Sequence, residues 1–217
     1  MKHMGVLFRL FAATPDAITA AVFLIAWIDP SILGPQYVKD LMLTMLIEFV
    51  VMHSSAFYSG LAASSDVPRA RRAMTLTGLS AFYLLFVGGM ALTFESSWPL
   101  FAFAWLFASR FVHLWMHPVQ IEAESRRMSL LWAASALAYV AGAIVTVILP
   151  LPELGITPEF RDSMHLTGSG EWIERPYTVL AFGALYFSAL AWVKYKLTGP
   201  DVVPRPGLAA EQPERTP

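Results

Sequence analysis

The chain has 217 residues, of which 56 % are hydrophobic and 14 % are charged, and its net charge at pH 7 is −1. Soluble domains contain about 45–50 % apolar and about 25 % charged residues, so this composition excludes a disordered chain and is typical of a membrane protein. The small net charge gives no support to nucleic-acid binding. The sequence contains no cysteine, which excludes disulfides, thiolate zinc sites, iron–sulfur clusters and covalently attached c-type haem.

Six apolar segments predict transmembrane helices, because about 20 apolar residues cross the roughly 30 Å hydrocarbon core of a bilayer. In chain order these spans are about 14–28, 38–58, 74–94, 98–116, 129–149 and 176–193. Backbone amides in lipid must be paired within the segment, which favours helices. We therefore predict an all-α, single-domain bundle over residues 1–197, followed by a disordered cytoplasmic tail over 198–217 that is rich in proline and charge.

The first span has two interpretations. Thr14, Pro15 and Asp16 resemble an N-cap, a first-turn proline and a first-turn acid. On that interpretation, which the capping pattern favours, residues 4–13 form a separate amphipathic helix on the membrane surface. The alternative is one kinked helix from Gly5 to Ile28, with Asp16 inside it.

The distribution of basic residues predicts the orientation. Eleven of the 15 Lys and Arg residues lie on one predicted side: Lys2, Arg9, Arg69, Arg71, Arg72, Arg126, Arg127, Lys194, Lys196, Arg205 and Arg215. Because basic loops stay in the cytoplasm, both termini are predicted to be cytoplasmic. The expected location is the inner (plasma) membrane.

Two further segments carry expectations about packing. Residues 150–175 join the fifth and sixth spans and contain five acidic residues. This segment is either a lid or cation-attracting rim or, as we favour, a solvated connection. Ala134, Ala138 and Gly142 form a seam of small residues along the fifth span, which predicts contact with another helix.

Ionisable side chains inside the spans are the candidate functional residues, because each costs about 2.5–3.5 kcal/mol to insert into a bilayer. The second span contains Glu48 and His53, and the fourth contains Arg110 and His113. Counted from the outer ends of their spans, Glu48 and Arg110 lie about 15–18 Å deep and the two histidines about 22 Å deep. If the second and fourth helices are neighbours, these side chains form one intramembrane cluster.

A metal or haem site is a second interpretation of the same region. His113 and His117 are four residues apart, a spacing that places two imidazoles on one face of a helix. With Glu48 they are candidate ligands of zinc or iron, while His53 and His113 are candidate axial ligands of haem b. His53 lies about 140° from Glu48 around its helix. Given any metal, we therefore expect the His113–His117 pair to hold it.

The second span also carries a resemblance. Its segment Leu46–Phe57 reads LIEFVVMHSSAF and resembles a stretch in uncharacterised bacterial multipass inner-membrane proteins. The resemblance covers one helix and implies a bacterial inner membrane. That group has no known function to carry over.

Three functions remain open from the sequence. The first is movement of an ion or proton through the cluster of Glu48, Arg110, His53 and His113. The second is a membrane metalloenzyme or b-type haem electron carrier, with a divalent metal or haem b as cofactor. The third is a structural or interaction protein in which the polar residues only pack helices. The pattern does not decide whether the protein is an enzyme, and the one partner that it predicts is the lipid bilayer.

Overall fold

The computed structural model describes residues 2–63, 68–101, 103–104, 108 and 122–197. This part of the chain is helical and contains no strand. The helices are α1 (Lys2–Ile28), α2 (Pro35–Ala63), α3 (Arg69–Thr93), α4 (Glu122–Ile148), α5 (Pro158–Ser163), α6 (Glu171–Glu174) and α7 (Pro176–Leu197). A 3₁₀ turn at Pro30–Ile32 joins α1 to α2, and residues 98–101 are also helical.

Four of these helices are long and apolar enough to cross a membrane. Their apolar stretches are Arg9–Ile28 in α1, Ala70–Thr93 in α3, Ser129–Ile148 in α4 and Pro176–Leu197 in α7. In α3 and α4 only 17 % and 11 % of the apolar window is buried inside the protein, so most of the apolar side chains face outward. Such surfaces are costly in water and stable in lipid. The predicted class, an all-α membrane protein, is therefore supported.

The remaining predicted spans are described less completely. The second span forms a helix, α2, but is not one of the four apolar stretches. The fourth span, 98–116, is helical at 98–101, 103–104 and 108, and its other residues lie outside the described part of the chain. The tail over 198–217 also lies outside it. The count of six spans and the cytoplasmic termini stay predictions.

The N-terminal helix corrects the favoured interpretation of the first span. Helix α1 runs from Lys2 to Ile28 without a break, and Pro15 lies inside it. Thr14 Oγ1 donates to the Leu10 carbonyl at 2.7 Å, and Thr19 Oγ1 donates to the Pro15 carbonyl at 2.9 Å. Apolar spans tolerate an internal proline where nearby hydroxyls bond the backbone. Residues 4–13 are therefore the first turns of α1, and the separate surface helix is wrong.

Helix α7 lies at the centre of the bundle and packs antiparallel to both α1 and α4. On the α1 side, the Phe23 ring lies directly against the backbone of Gly183 and stacks on Phe187 with ring centroids 5.6 Å apart. On the α4 side, a Cβ at Gly142 would lie 2.9 Å from the Phe182 ring. Ala134 and Ala138 line the same α4–α7 contact. The prediction that the small-residue seam packs against a helix is confirmed.

Helix α2 packs against α4 and runs antiparallel to it. Two side chains of α4 donate to backbone carbonyls of α2: Trp132 Nε1 to Met52 at 2.9 Å, and Tyr139 Oη to Met45 at 2.8 Å. A second apolar cluster joins α2 to α3 and to residue 103. Its buried members are Leu43, Ile47, Val50, Val87 and Phe103.

The 150–175 segment is a folded cap and not the solvated connection that the sequence favours. Trp27 Nε1 of α1 donates to the Pro152 carbonyl at 2.9 Å, and the Gly155 amide donates to the Trp27 carbonyl at 3.1 Å. Ile156 and Met164 are buried, 3 % and 1 % exposed. Apolar side chains of the segment therefore belong to the core, although its acidic composition favours a solvated segment.

Within this cap, α5 begins with a local hydrogen-bond arrangement typical of a helix N-terminus. Thr157 is the N-cap, and its side chain accepts a hydrogen bond from the Phe160 amide at 3.3 Å. Glu159 lies in the first turn, where its own backbone N–H and the Thr157 side chain lower the pKa of its carboxyl. A charged acid at this position stabilises the helix end.

Candidate functional site

Glu48 is half-buried in the contact between α2 and α7. The Tyr186 hydroxyl of α7 donates a 2.7 Å hydrogen bond to Glu48 Oε1. Tyr186 is itself 1 % exposed, so this bond is shielded from the surroundings of the bundle. A carboxylate in an apolar interior needs such a donor, because an unpaired buried charge is strongly destabilising.

A second tyrosine extends the polar group towards α4. The rings of Tyr139 and Tyr186 meet edge to face with centroids 5.4 Å apart. The Tyr139 hydroxyl points to the α2 backbone and donates to the Met45 carbonyl, one turn before Glu48. Two phenolic hydroxyls from different helices therefore lie beside the carboxylate, each with a defined hydrogen-bond acceptor.

An ion pair between α1 and α7 completes the site. Lys194 Nζ lies 2.7 Å from Asp16 Oδ2. Asp16 is buried, 7 % exposed, while the Lys194 side chain is 36 % exposed. Both charges act electrostatically on Glu48. Antiparallel packing of α1 and α7 creates this contact, since it sets the middle of α1 beside the last turn of α7.

We call Asp16, Glu48, Tyr139, Tyr186 and Lys194 the interior polar cluster. It draws on four helices, α1, α2, α4 and α7. When the ionisable carboxyl and amine groups of these five described residues are charged, two carboxylates face one ammonium, which leaves one negative charge among them. The cluster can thus take up one proton or one monovalent cation and become neutral.

His53 does not join this cluster. Its side chain is exposed, its Nδ1 lies 3.3 Å from the Phe49 carbonyl of its own helix, and its ring packs on the Phe49 ring at 4.2 Å. Phe49 in turn lies 5.7 Å from Tyr139. An apolar ring therefore separates His53 from the tyrosines, as the angle between Glu48 and His53 on the helix predicts.

The other predicted site residues lie outside the described part of the chain. Arg110, His113 and His117 all fall within 109–121, so the Glu48–Arg110 pair and the histidine pair stay predictions. Among the described residues there is no group of three or more His, Asp or Glu side chains that could hold a metal ion. Of the two predicted metal ligands that are described, Glu48 is bonded to Tyr186 and His53 packs on Phe49.

Sequence reasoning missed four members of the cluster. The sequence pattern marks Lys194 only as a topology signal, and it favours Asp16 as a first-turn acid of the first span. Tyr139 and Tyr186 each lie in the middle of an apolar span, where a phenol needs a hydrogen-bond partner. That central position is the signal that predicts them.

Comparisons with protein-family models, curated proteins and solved structures return no match to this chain.

Proposed function

We propose that this helical membrane protein moves protons, or an ion coupled to protons, through its interior polar cluster, with Glu48 as the group that gains and loses the proton. The observation that carries the proposal is the Glu48 carboxylate, held by the Tyr186 hydroxyl inside an apolar bundle. Ionisable side chains at such positions are costly to insert and commonly belong to ion or proton pathways.

The charge balance of the cluster supports a role for a single proton. Lys194 neutralises Asp16 directly, so Glu48 carries the excess charge of the group. Transfer of a proton from hydronium to the Glu48 carboxylate forms a neutral carboxyl and releases water. The neutral form has lost its charge but still accepts a hydrogen bond from Tyr186, so the helix contact survives in both states.

The test is proton flux into vesicles. Purified protein is reconstituted into liposomes that contain a pH-sensitive dye, and an external acid pulse is applied. Glu48→Gln retains the shape and the acceptor oxygen but cannot be ionised, and we expect it to reduce protein-dependent flux about a hundredfold or more, in the range of lost general acid–base groups. Tyr186→Phe is expected to reduce it less, because the carboxyl remains.

The matched control is Glu95→Gln, which changes an exposed carboxylate in the turn after α3. We expect its flux to equal that of the wild type. Wild-type vesicles that leak no faster than empty vesicles over all imposed gradients would contradict the proposal. A folded Glu48→Gln protein with unchanged flux would equally reject Glu48 and favour a purely structural polar cluster.

A further inference from the structure

An open groove runs between α1 and α7 on the outside of the bundle. Its volume is about 690 Å³, within the roughly 300–1,000 Å³ of small-molecule sites. The floor consists of small residues on both helices, among them Ala13, Ala17 and Ala21 of α1 and Ala184 and Ser188 of α7. Leu24, Trp27 and Leu185 also line the groove, while the small residues leave a furrow between the two helices.

The groove has the length and polarity of a lipid chain. It extends along α1 from Ala13 to Trp27, which is about 21 Å at 1.5 Å per residue. Apart from the aromatic Trp27, Trp192 and Tyr195, Ser188 is the one polar side chain among the residues that line the groove. An extended hydrocarbon chain parallel to the helices would therefore contact alanine methyl groups along most of its length.

The end of the groove at the C-terminus of α7 is aromatic and basic. Trp192 and Tyr195 line this end. Lys196 is exposed, and its Nζ lies 4.6 Å from the centre of the Trp192 ring. Since residues four apart share a helix face, Lys196 stands directly beyond Trp192 on the face that forms the groove. Amphipathic rings and a basic residue at a span end match the depth of lipid headgroups.

The charges around the groove favour an anionic occupant. None of the side chains that line the groove is acidic, and the nearby Asp16 carboxylate is already paired with Lys194. A second copy of the chain, related by a twofold axis along the membrane normal, would bring two Lys196 ends together in one leaflet, which is unfavourable. We propose that the groove binds an anionic phospholipid, with an acyl chain along the alanines and the phosphate at Lys196.

This site is separate from the interior polar cluster and does not depend on the proposed function. The test uses the full-length protein reconstituted in vesicles of equal phosphatidylglycerol and phosphatidylcholine with matched chains. After mild solubilisation, native mass spectrometry measures the lipids that remain bound. We expect phosphatidylglycerol to be retained preferentially. Lys196→Gln should reduce the phosphatidylglycerol-to-phosphatidylcholine ratio about fivefold, the effect of one basic residue near an anionic surface.

Matched variants separate the headgroup from the chain. Lys39→Gln removes the same charge from the start of α2 and should leave the ratio unchanged, and Lys196→Arg should preserve it. Ala17→Leu with Ala21→Leu fills the groove and should release both lipids, whereas Ala81→Leu with Ala141→Leu, at exposed positions on α3 and α4, should not. Circular dichroism confirms that each variant is helical.

Two results would overturn the proposal. The first is a lipid ratio that Lys196→Gln does not change. The second is a dimer in the wild-type spectrum that Ala17→Leu abolishes without loss of lipid, since that result would identify a second copy as the occupant. Single substitution of Ala21, an exposed residue, tests the groove even if the double variant fails to fold.

Discussion

At the scale of single residues, Gly183 determines how closely α1 approaches α7. A Cβ at this position would overlap the Phe23 ring, which is 0 % exposed and cannot move into free space. We expect Gly183→Ala to lower the free energy of unfolding by about 1–3 kcal/mol, the usual cost of overpacking a tight contact. Titration with sodium dodecyl sulfate, followed by tryptophan fluorescence, measures this change.

Gly88→Ala is the matched control, because a Cβ there would meet no atom within 4 Å. The same substitution in α3 should leave stability unchanged or raise it by up to about 1 kcal/mol, since alanine is the better helix former. Equal losses for the two variants would mean that helix propensity, and not the Phe23 contact, determines the result.

The same scale shows what can be predicted about the site. Glu48 is identifiable from sequence, because an acid inside an apolar segment stands out against its neighbours. Its partner is not identifiable in this way, since Tyr186 lies 138 residues further along the chain. Hydropathy assigns both residues to spans but carries no information on which spans touch. The Asp16–Lys194 ion pair cannot be predicted for the same reason, because its two residues lie on different spans.

At the scale of elements, the cap over residues 150–175 approaches the end of α1 most closely at Gly155. A Cβ at Gly155 would lie 2.6 Å from the Ile28 carbonyl oxygen and closer still to the Pro30 ring. We expect Gly155→Ala to undock the cap and to increase the rate of tryptic cleavage at Arg161 about tenfold in nanodiscs, where both faces are accessible.

Glu153→Ala is the control for this effect, because it places the same residue at an exposed site in the same segment. Its cleavage rate should match that of the wild type. If Gly155→Ala is cleaved no faster than Glu153→Ala, the Trp27 and Gly155 hydrogen bonds do not hold the cap in place.

Elements differ in how well the sequence predicts them. Four of the six predicted apolar runs coincide with helices long enough to cross a membrane, because the hydrocarbon thickness sets a length that can be counted along the chain. The break at Pro15 was wrong, because capping rules derived for helix ends in water do not hold where a helix continues in an apolar setting. The five acidic residues of the cap favour a solvated segment, but the apolar Ile156 and Met164 are buried and hold the cap against the bundle.

At the scale of the whole molecule, the orientation predicted from the basic residues is directly testable. The sequence has no cysteine, so each introduced cysteine is the single reactive thiol. We expect Ser96→Cys and Ser169→Cys to react with a membrane-impermeant maleimide in intact cells, and Ser125→Cys to react only after permeabilisation. The reverse pattern would show that the termini lie outside, while labelling of all three in intact cells would contradict a six-span bundle.

The packing of α1 against α7 has a consequence for synthesis. Lys194 is translated long after Asp16, so the ion pair cannot form until α7 has left the ribosome. At roughly 5–20 residues per second, the delay is about 10–35 s. During this interval the Asp16 carboxylate has no Lys194 partner. It must therefore stay outside the hydrocarbon core or be neutralised by a proton. A chain that stops before α7 cannot form this ion pair, so its Asp16 carboxyl lacks the Lys194 partner.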